Sequence, residues 1–176
     1  MRARLFTTLL VCLLVEIGAA QAVGNTLRAD RVVVFKKERT LQLMNAGKVI
    51  KTYKIALGGN PIGPKMRQGD HKTPEGNYVL DSRNLHSQFY KSIHISYPNS
   101  QDRAAARKHG VSPGRDVFLH GLPDGYGWIG KEHRMKDWTD GCIAVTDTDG
   151  CIAVTDQEMD EIWRAVPNGT PIEIRP

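Results

Sequence analysis

A β-rich mixed α+β domain with few short helices is predicted by three observations. Short runs rich in valine, isoleucine, threonine and tyrosine recur through the chain, as strands on a pleated, half-buried surface require. Glycine, proline and asparagine clusters punctuate them, supplying the backbone angles of turns. Strands outnumber helices, and no regular alternation of strand and helix marks a parallel α/β sheet.

Residues 31–35 and 40–44 read as strands, and Asn45-Ala46-Gly47 turns the chain into a third run over 48–57. There Val49, Lys51, Tyr53 and Ile55 share one face and Ile50, Thr52, Lys54 and Ala56 the other, which suits a strand partly covered on both sides. Residues 58–76, G-G-N-P-I-G-P-K-M-R-Q-G-D-H-K-T-P-E-G, have no helical period. They read as a long ordered loop, more often functional than not in a compact domain, with Asp70, Thr73 and Gly76 fixing its turns. Strands follow at 77–81 and 92–97, then a short helix over 103–108 capped by Ser100 or Asp102 and closed by Gly110. Residues 117–120 form a strand that ends on His120, and a glycine-rich, aromatic loop occupies 122–138. Asp156 caps a helix over 157–166 on which Met159, Ile162, Trp163 and Val166 recur at helical spacing, and 170–175 make a last strand.

The N-terminus differs. Met1-Arg2-Ala3-Arg4 is basic, residues 5–15 are apolar, and Ala20-Gln21-Ala22 has the small-x-small form of a cleavage site. Residues 1–22 therefore read as a signal peptide, 23–30 as a short linker and 31–176 as the functional domain, one core's worth of chain. The apolar run is shorter than the ~20 residues of a spanning helix, which disfavours a retained membrane anchor. The mature chain has no transmembrane span on this reading and belongs outside the inner membrane, in the periplasm or cell wall. Without Arg2, Arg4 and Glu16 it carries 22 basic and 18 acidic side chains, a mild preference for anionic surroundings such as a wall polymer. No basic run or aromatic-interleaved patch is dense enough for nucleic acid.

Candidate chemistry lies in residues 137–156. Thr-Asp-Gly-Cys-Ile-Ala-Val-Thr-Asp occurs there twice, as 139–147 and 148–156. Each copy places a cysteine, Cys142 or Cys151, behind a glycine at the mouth of a β-branched run. Such a thiol is a packed core residue where no base is near and a nucleophile where one is. His120, in Leu119-His120-Gly121, is the candidate base. His86, His109 and His133 show no metal-ligand spacing.

A His-Gly at a strand end, a Thr-x-Gly-Cys about twenty residues later, the upstream Gly63-Pro64-Lys65 and Gly69-Asp70-His71-Lys72-Thr73-Pro74-Glu75-Gly76, the run Ser87 to Pro98 and the closing Gly169-Thr170-Pro171-Ile172 stand together in order. This pattern, from about Arg31 to Pro176, resembles the L,D-transpeptidase catalytic domain of the YkuD type, and implies its β-sandwich or barrel-like fold. The resemblance implies a secreted cysteine acyltransferase that forms a thioester with a peptidoglycan stem tetrapeptide, releases D-alanine and makes 3-3 cross-links. Cys151 or Cys142 is then the nucleophile and His120 its base, and backbone N–H groups at the Gly-Cys step hold the oxyanion. Gly121, Thr139, Gly141, Thr148 and Gly150 border the substrate, and His94 lines the cleft or is structural. No metal or organic cofactor is implied. Stem peptides are the partners, with a wall-anchored protein as a further type of acceptor. Two rival readings are an L,D-carboxypeptidase or amidase using the same Cys-His site, and an inactive wall-binding module.

Two features depart from the family pattern. The arginine that many members carry two residues after the cysteine is replaced by Ala144 or Ala153, and the block is duplicated. Use of Cys142 keeps the approach from Trp138, whereas use of Cys151 keeps the tight junction into the last helix. Lengthening a loop costs only about 0.6 kcal/mol per doubling, so Cys151 is preferred. The two thiols compete for one slot or join in a disulfide.

Overall fold

The computed structural model describes residues 27–139 and 149–176. Residues 1–22, expected as a signal peptide, and Gly141, Cys142 and Thr148 lie outside the described residues. The chain enters the core at Ala29, buried with its N–H on Ala165 O at 2.8 Å. Strands β1 (Arg31–Phe35), β2 (Thr40–Asn45) and β3 (Lys48–Lys54) form a meander. Then come β4 (Gly76–Asn84), β5 (Ser92–Ile95), helix α1 (Ser100–Lys108), β6 (Val117–His120), a 3-10 segment (Gly127–Met135), β7 (Ile152–Ala153), helix α2 (Asp156–Ala165) and β8 (Thr170–Arg175).

All eight strands join one sheet in the order β3-β2-β1-β8-β4-β5-β6-β7. Among the described residues the β1/β8 and β6/β7 pairs are parallel and the other strand pairs antiparallel. The sheet curls until Ala56, just past β3, exchanges both backbone hydrogen bonds with Ala153 of β7, at 3.0 and 2.9 Å. The strand-rich, barrel-like fold expected from the sequence is therefore present. Inside the curl lie Val32, Val34, Leu41, Leu43, Leu80, Ile93, Ile95, Leu119, Ile152 and Ile172, every second residue along their strands. Helix α2 adds Met159, Ile162 and Ala165. Trp163, expected in the same stripe, is half-buried and stacks under Arg83, 3.8 Å from guanidinium to ring centroid.

Several boundaries differ from expectation for local reasons. Strand β3 ends at Lys54, and its first half is largely exposed on both faces because it forms the sheet edge. Helix α1 is capped by Asn99, whose side chain accepts from the Gln101 and Asp102 N–H groups while the Asp102 carboxylate returns to Asn99 N–H. Helix α2 is capped by Thr155 and Glu158 in the same reciprocal way. Asp156, expected as that cap, instead accepts the Leu122 N–H at 2.8 Å. The 122–138 loop holds a 3-10 segment interrupted at Gly130 by non-helical angles.

The 58–76 loop is anchored from below by Lys36, whose Nζ donates to Gly63 O (2.7 Å), Thr73 O (2.8 Å) and Glu75 Oε1 (2.8 Å). Lys36 is 2 % exposed, and burial lowers its pKa against the opposing pull of Glu75. Removing the ammonium strands two carbonyls and a carboxylate. Lys36→Met is predicted to destabilise the domain by roughly 2–4 kcal/mol in urea unfolding; a loss below about 1 kcal/mol would show that Lys36 does not anchor the loop.

Candidate active site

Strands β6 and β7 run parallel with Leu119 opposite Ile152 and His120 opposite Ala153. Leu119 and Ile152 are both fully buried in the core. Strand alternation then places Phe118, His120, Cys151 and Ala153 on the opposite face. Cys151 stands level with Phe118, whose N–H donates to Cys151 Sγ at 3.4 Å, a contact that favours a sulfur carrying negative charge. The second copy of the duplicated block thus supplies β7.

The tautomer of His120 follows from its partner. Nδ1 lies 2.7 Å from Gly121 O, and a carbonyl only accepts, so Nδ1 carries the proton and Nε2 keeps the basic lone pair. His120 is 1 % exposed. Burial lowers its pKa to about 4, only partly opposed by the Gly121 hydrogen bond. The ring is neutral at pH 7, with the lone pair on Nε2 unprotonated. Phe89 packs on it at 4.3 Å between centroids, and Trp138 meets it edge-on at 6.0 Å. Behind Trp138 sits His133, accepting the indole N–H on Nδ1 at 3.4 Å. It is also buried and lowered to about 4, burial again the main cause. A cavity of about 470 Å³ opens beside these rings, lined by Leu122, Tyr126, Ile129, His133, Met135 and Trp138 among others.

The turn into β7 is gripped from both sides. Asp149 accepts from Lys65 Nζ at 2.5 Å and from His71 N–H at 2.8 Å. Gly150 has φ +84°, and a Cβ there would lie 1.9 Å from Lys72 O, so only glycine fits. Thr139 donates its hydroxyl to Cys151 O at 2.6 Å and accepts the Gly150 N–H at 3.1 Å. Trp138 and Thr139 both donate their N–H groups to Leu57 O, and Arg39 pairs with Asp137 through Nε and Nη2. The approach through Thr139 and the junction from Asp149 to α2 therefore coexist, with residues 140–148 between them. The Gly150 N–H, one of the donors expected at an oxyanion, is engaged by Thr139.

Gly121 also answers to close packing. A Cβ there would lie 2.5 Å from Tyr90 O, the acceptor of the Gly121 N–H at 3.0 Å. His94 is half-buried on β5, opposite Phe118 in register, with Nδ1 2.7 Å from Asp81 Oδ1. The structure thus gathers His120, Gly121, Thr139, Gly150 and Cys151 around one turn, with His94 across Phe118. Lys65, Asp149, Trp138, Phe89 and His133 join them without having been singled out for the site. The Asp of the repeat was the visible clue to one of these; a buried lysine leaves no such mark. Among the described residues, no group of three or more His, Cys, Asp or Glu side chains is placed to hold a metal ion.

The model of the YkuD L,D-transpeptidase catalytic domain matches residues 29–174. The chain belongs to this family. YafK of Escherichia coli K12, described provisionally as an L,D-transpeptidase, is 41 % identical over 96 residues, 51 % of this chain and 37 % of that protein. Pgp2 of Campylobacter jejuni, a helical cell shape determining protein, superposes with a TM-score of 0.56 at 21 % identity, covering 81 % of this chain and 46 % of Pgp2. Bd1075 of Bdellovibrio bacteriovorus gives 0.52 at 24 % identity over 82 % of this chain and 46 % of its own. The chain therefore spans well under two thirds of each, and the two structures attest the fold. In this L,D-transpeptidase domain the position two residues after Cys151 is Ala153, fully buried at the closure with Ala56.

The buried imidazoles make stability depend on pH. Above pH 6.5 both states hold them neutral; between 6.5 and about 4 the unfolded chain binds protons that folded His120 and His133 refuse. Stability should therefore fall as pH is lowered through that window. Urea midpoints from pH 7 to 4.5 should drop less steeply for His133→Phe than for the unaltered chain; equal slopes would contradict the buried neutral state of His133.

Proposed function

We propose that this domain is a cysteine acyltransferase of the cell wall that uses Cys151 and His120 on peptidoglycan stem peptides. The observation that supports it is the placement of both side chains on one face of adjacent parallel strands, with the imidazole held as the Nδ1–H tautomer. His120 Nε2 takes the thiol proton, and the sulfur attacks the carbonyl joining the diamino acid of a tetrapeptide to its terminal D-alanine. The C–N bond breaks, the amine leaves with the proton held by His120, and a thioester remains on Cys151. A side-chain amine of a second stem then attacks the thioester. His120 moves its proton to the departing sulfur, and a 3-3 cross-link forms. A wall-anchored protein amine is a further acceptor of the same chemistry. Gly121, Thr139 and Gly150 shape the cleft floor through the contacts described, and His94 lines its far side. Such work belongs in the periplasm or wall, where residues 1–22 would direct the chain as a signal peptide. Shaping of the cell wall is the cellular role that follows.

Incubating the protein with disaccharide tetrapeptide and resolving the products by mass tests this. Cross-linked dimer and free D-alanine are predicted, and His120→Ala should slow their appearance by roughly 10²–10⁴-fold. Tripeptide without dimer would identify water as the acceptor and a carboxypeptidase instead. Binding to sacculi without turnover would leave the inactive wall-binding module.

A further inference from the structure

Lys65 has no place in the chemistry just described, yet its side chain has no exposed area. Its ammonium donates to Asp149 Oδ1 at 2.5 Å, to Asp70 Oδ1 at 3.0 Å and to Arg67 O at 3.3 Å. Three donors meet three acceptors, so the buried cation is fully satisfied. The two carboxylates differ in what else holds them. Asp70 also accepts the N–H groups of Met66, Arg67 and Lys72 at 2.7–3.1 Å, which makes it a local brace of the loop. Among the described residues, the Asp149 carboxylate accepts from the Lys65 ammonium and the His71 N–H, and both come from the 58–76 loop. Its side chain is 8 % exposed.

Asp149 stands two residues before Cys151. Between them Gly150 lies so close to the loop that a Cβ would strike Lys72 O, and a Cβ on Gly58 would lie 2.3 Å from His71 O and 3.0 Å from Gly150 Cα. The loop is thus pressed backbone to backbone on the turn that carries the sulfur, and the Lys65–Asp149 pair is the charged tie across that contact. Without the ammonium, a carboxylate with little access to water would lose its counter-charge and turn toward solvent. The turn would lose its charged tie to the loop, and the Gly150–Cys151 peptide, packed against that same loop, would be free to shift.

We infer that Lys65 is a positioning residue: by holding Asp149 it sets where Cys151 Sγ stands relative to His120 Nε2, without touching substrate. The inference rests on Cys151 and His120 being the reacting pair. Proton transfer and attack both depend steeply on that separation, so loss of Lys65 should appear in the rate at each competent site. A purely structural role would instead lower the number of competent sites.

The experiment separates the two. Sites in the full chain are titrated with a carbapenem, a class that acylates the family's cysteine, and the acylation rate per competent site is measured alongside kcat and KM for the tetrapeptide. Lys65→Met is predicted to slow acylation per site and kcat by roughly ten- to a hundredfold while KM changes less than about threefold. A reduced number of sites, each reacting at the unaltered rate, would overturn the inference. Should Lys65→Met fail to fold, Asp149→Asn retains the Lys65–Asp70 pair and sets an amide against the two donors. It is predicted to slow acylation per site at least about fivefold, and an unchanged rate would again overturn the inference. Absence of acylation and turnover in the unaltered protein would instead count against the proposed function.

Discussion

The register between β6 and β7 is the constraint on which the candidate site depends. Leu119 and Ile152 are opposite one another and both fill the core. Because side chains alternate, burying that pair forces His120 and Cys151 to share the other face; a slip of one residue would send one of them into the core. The strand delivering the sulfur is only two residues long, so the ladder alone holds it weakly. Its position is reinforced by the Ala56–Ala153 closure on one side, by Thr139 on the carbonyl of Cys151, and by the capped start of α2 just beyond. Each reinforcement is a hydrogen-bonding group that would otherwise be buried without a partner.

The long glycine- and proline-rich loop extends the same logic. It carries no regular structure, yet two buried lysines tether it, Lys36 to the body of the domain and Lys65 to the turn before Cys151. A lysine spends side-chain entropy to be ordered, and burying its charge is worthwhile only where every donor finds an acceptor. Here both ammonium groups meet that condition. The loop's backbone approaches the turn at Gly150 and Gly58, where only hydrogen side chains leave room. Thr139 and Asp149, which flank the extra residues in the sequence, are each held by contacts to the rest of the domain. Joining those points through a longer segment costs little closure entropy.

Much of this was legible in the chain. Short β-rich and apolar runs at 31–35, 40–44 and 117–120 located strands, and Asn45-Ala46-Gly47 located the hairpin turn. The His-Gly and Gly-Cys steps marked the residues that the fold brings to one turn. What escaped has physical causes. The caps at Asn99 and Thr155 sit ahead of the residues chosen from sequence, because the better signal was the reciprocal N-x-x-D and T-x-x-E spacing. Asp156 was drawn away to the Leu122 amide, a long-range contact no local pattern announces. The 3-10 segment at Gly127–Met135 has no sustained period because Gly130 breaks it. Nothing local marks Lys65 and Lys36 for burial, since burial of a lone lysine depends on acceptors that come from elsewhere in the chain.

The most direct test of the whole arrangement is to locate the acyl group. The full chain would be reacted with a carbapenem, digested, and its peptides mapped by mass spectrometry. If the register of β6 with β7 defines the reactive sulfur, the adduct is found on Cys151 and Cys142 stays unmodified. An adduct confined to Cys142 would contradict it.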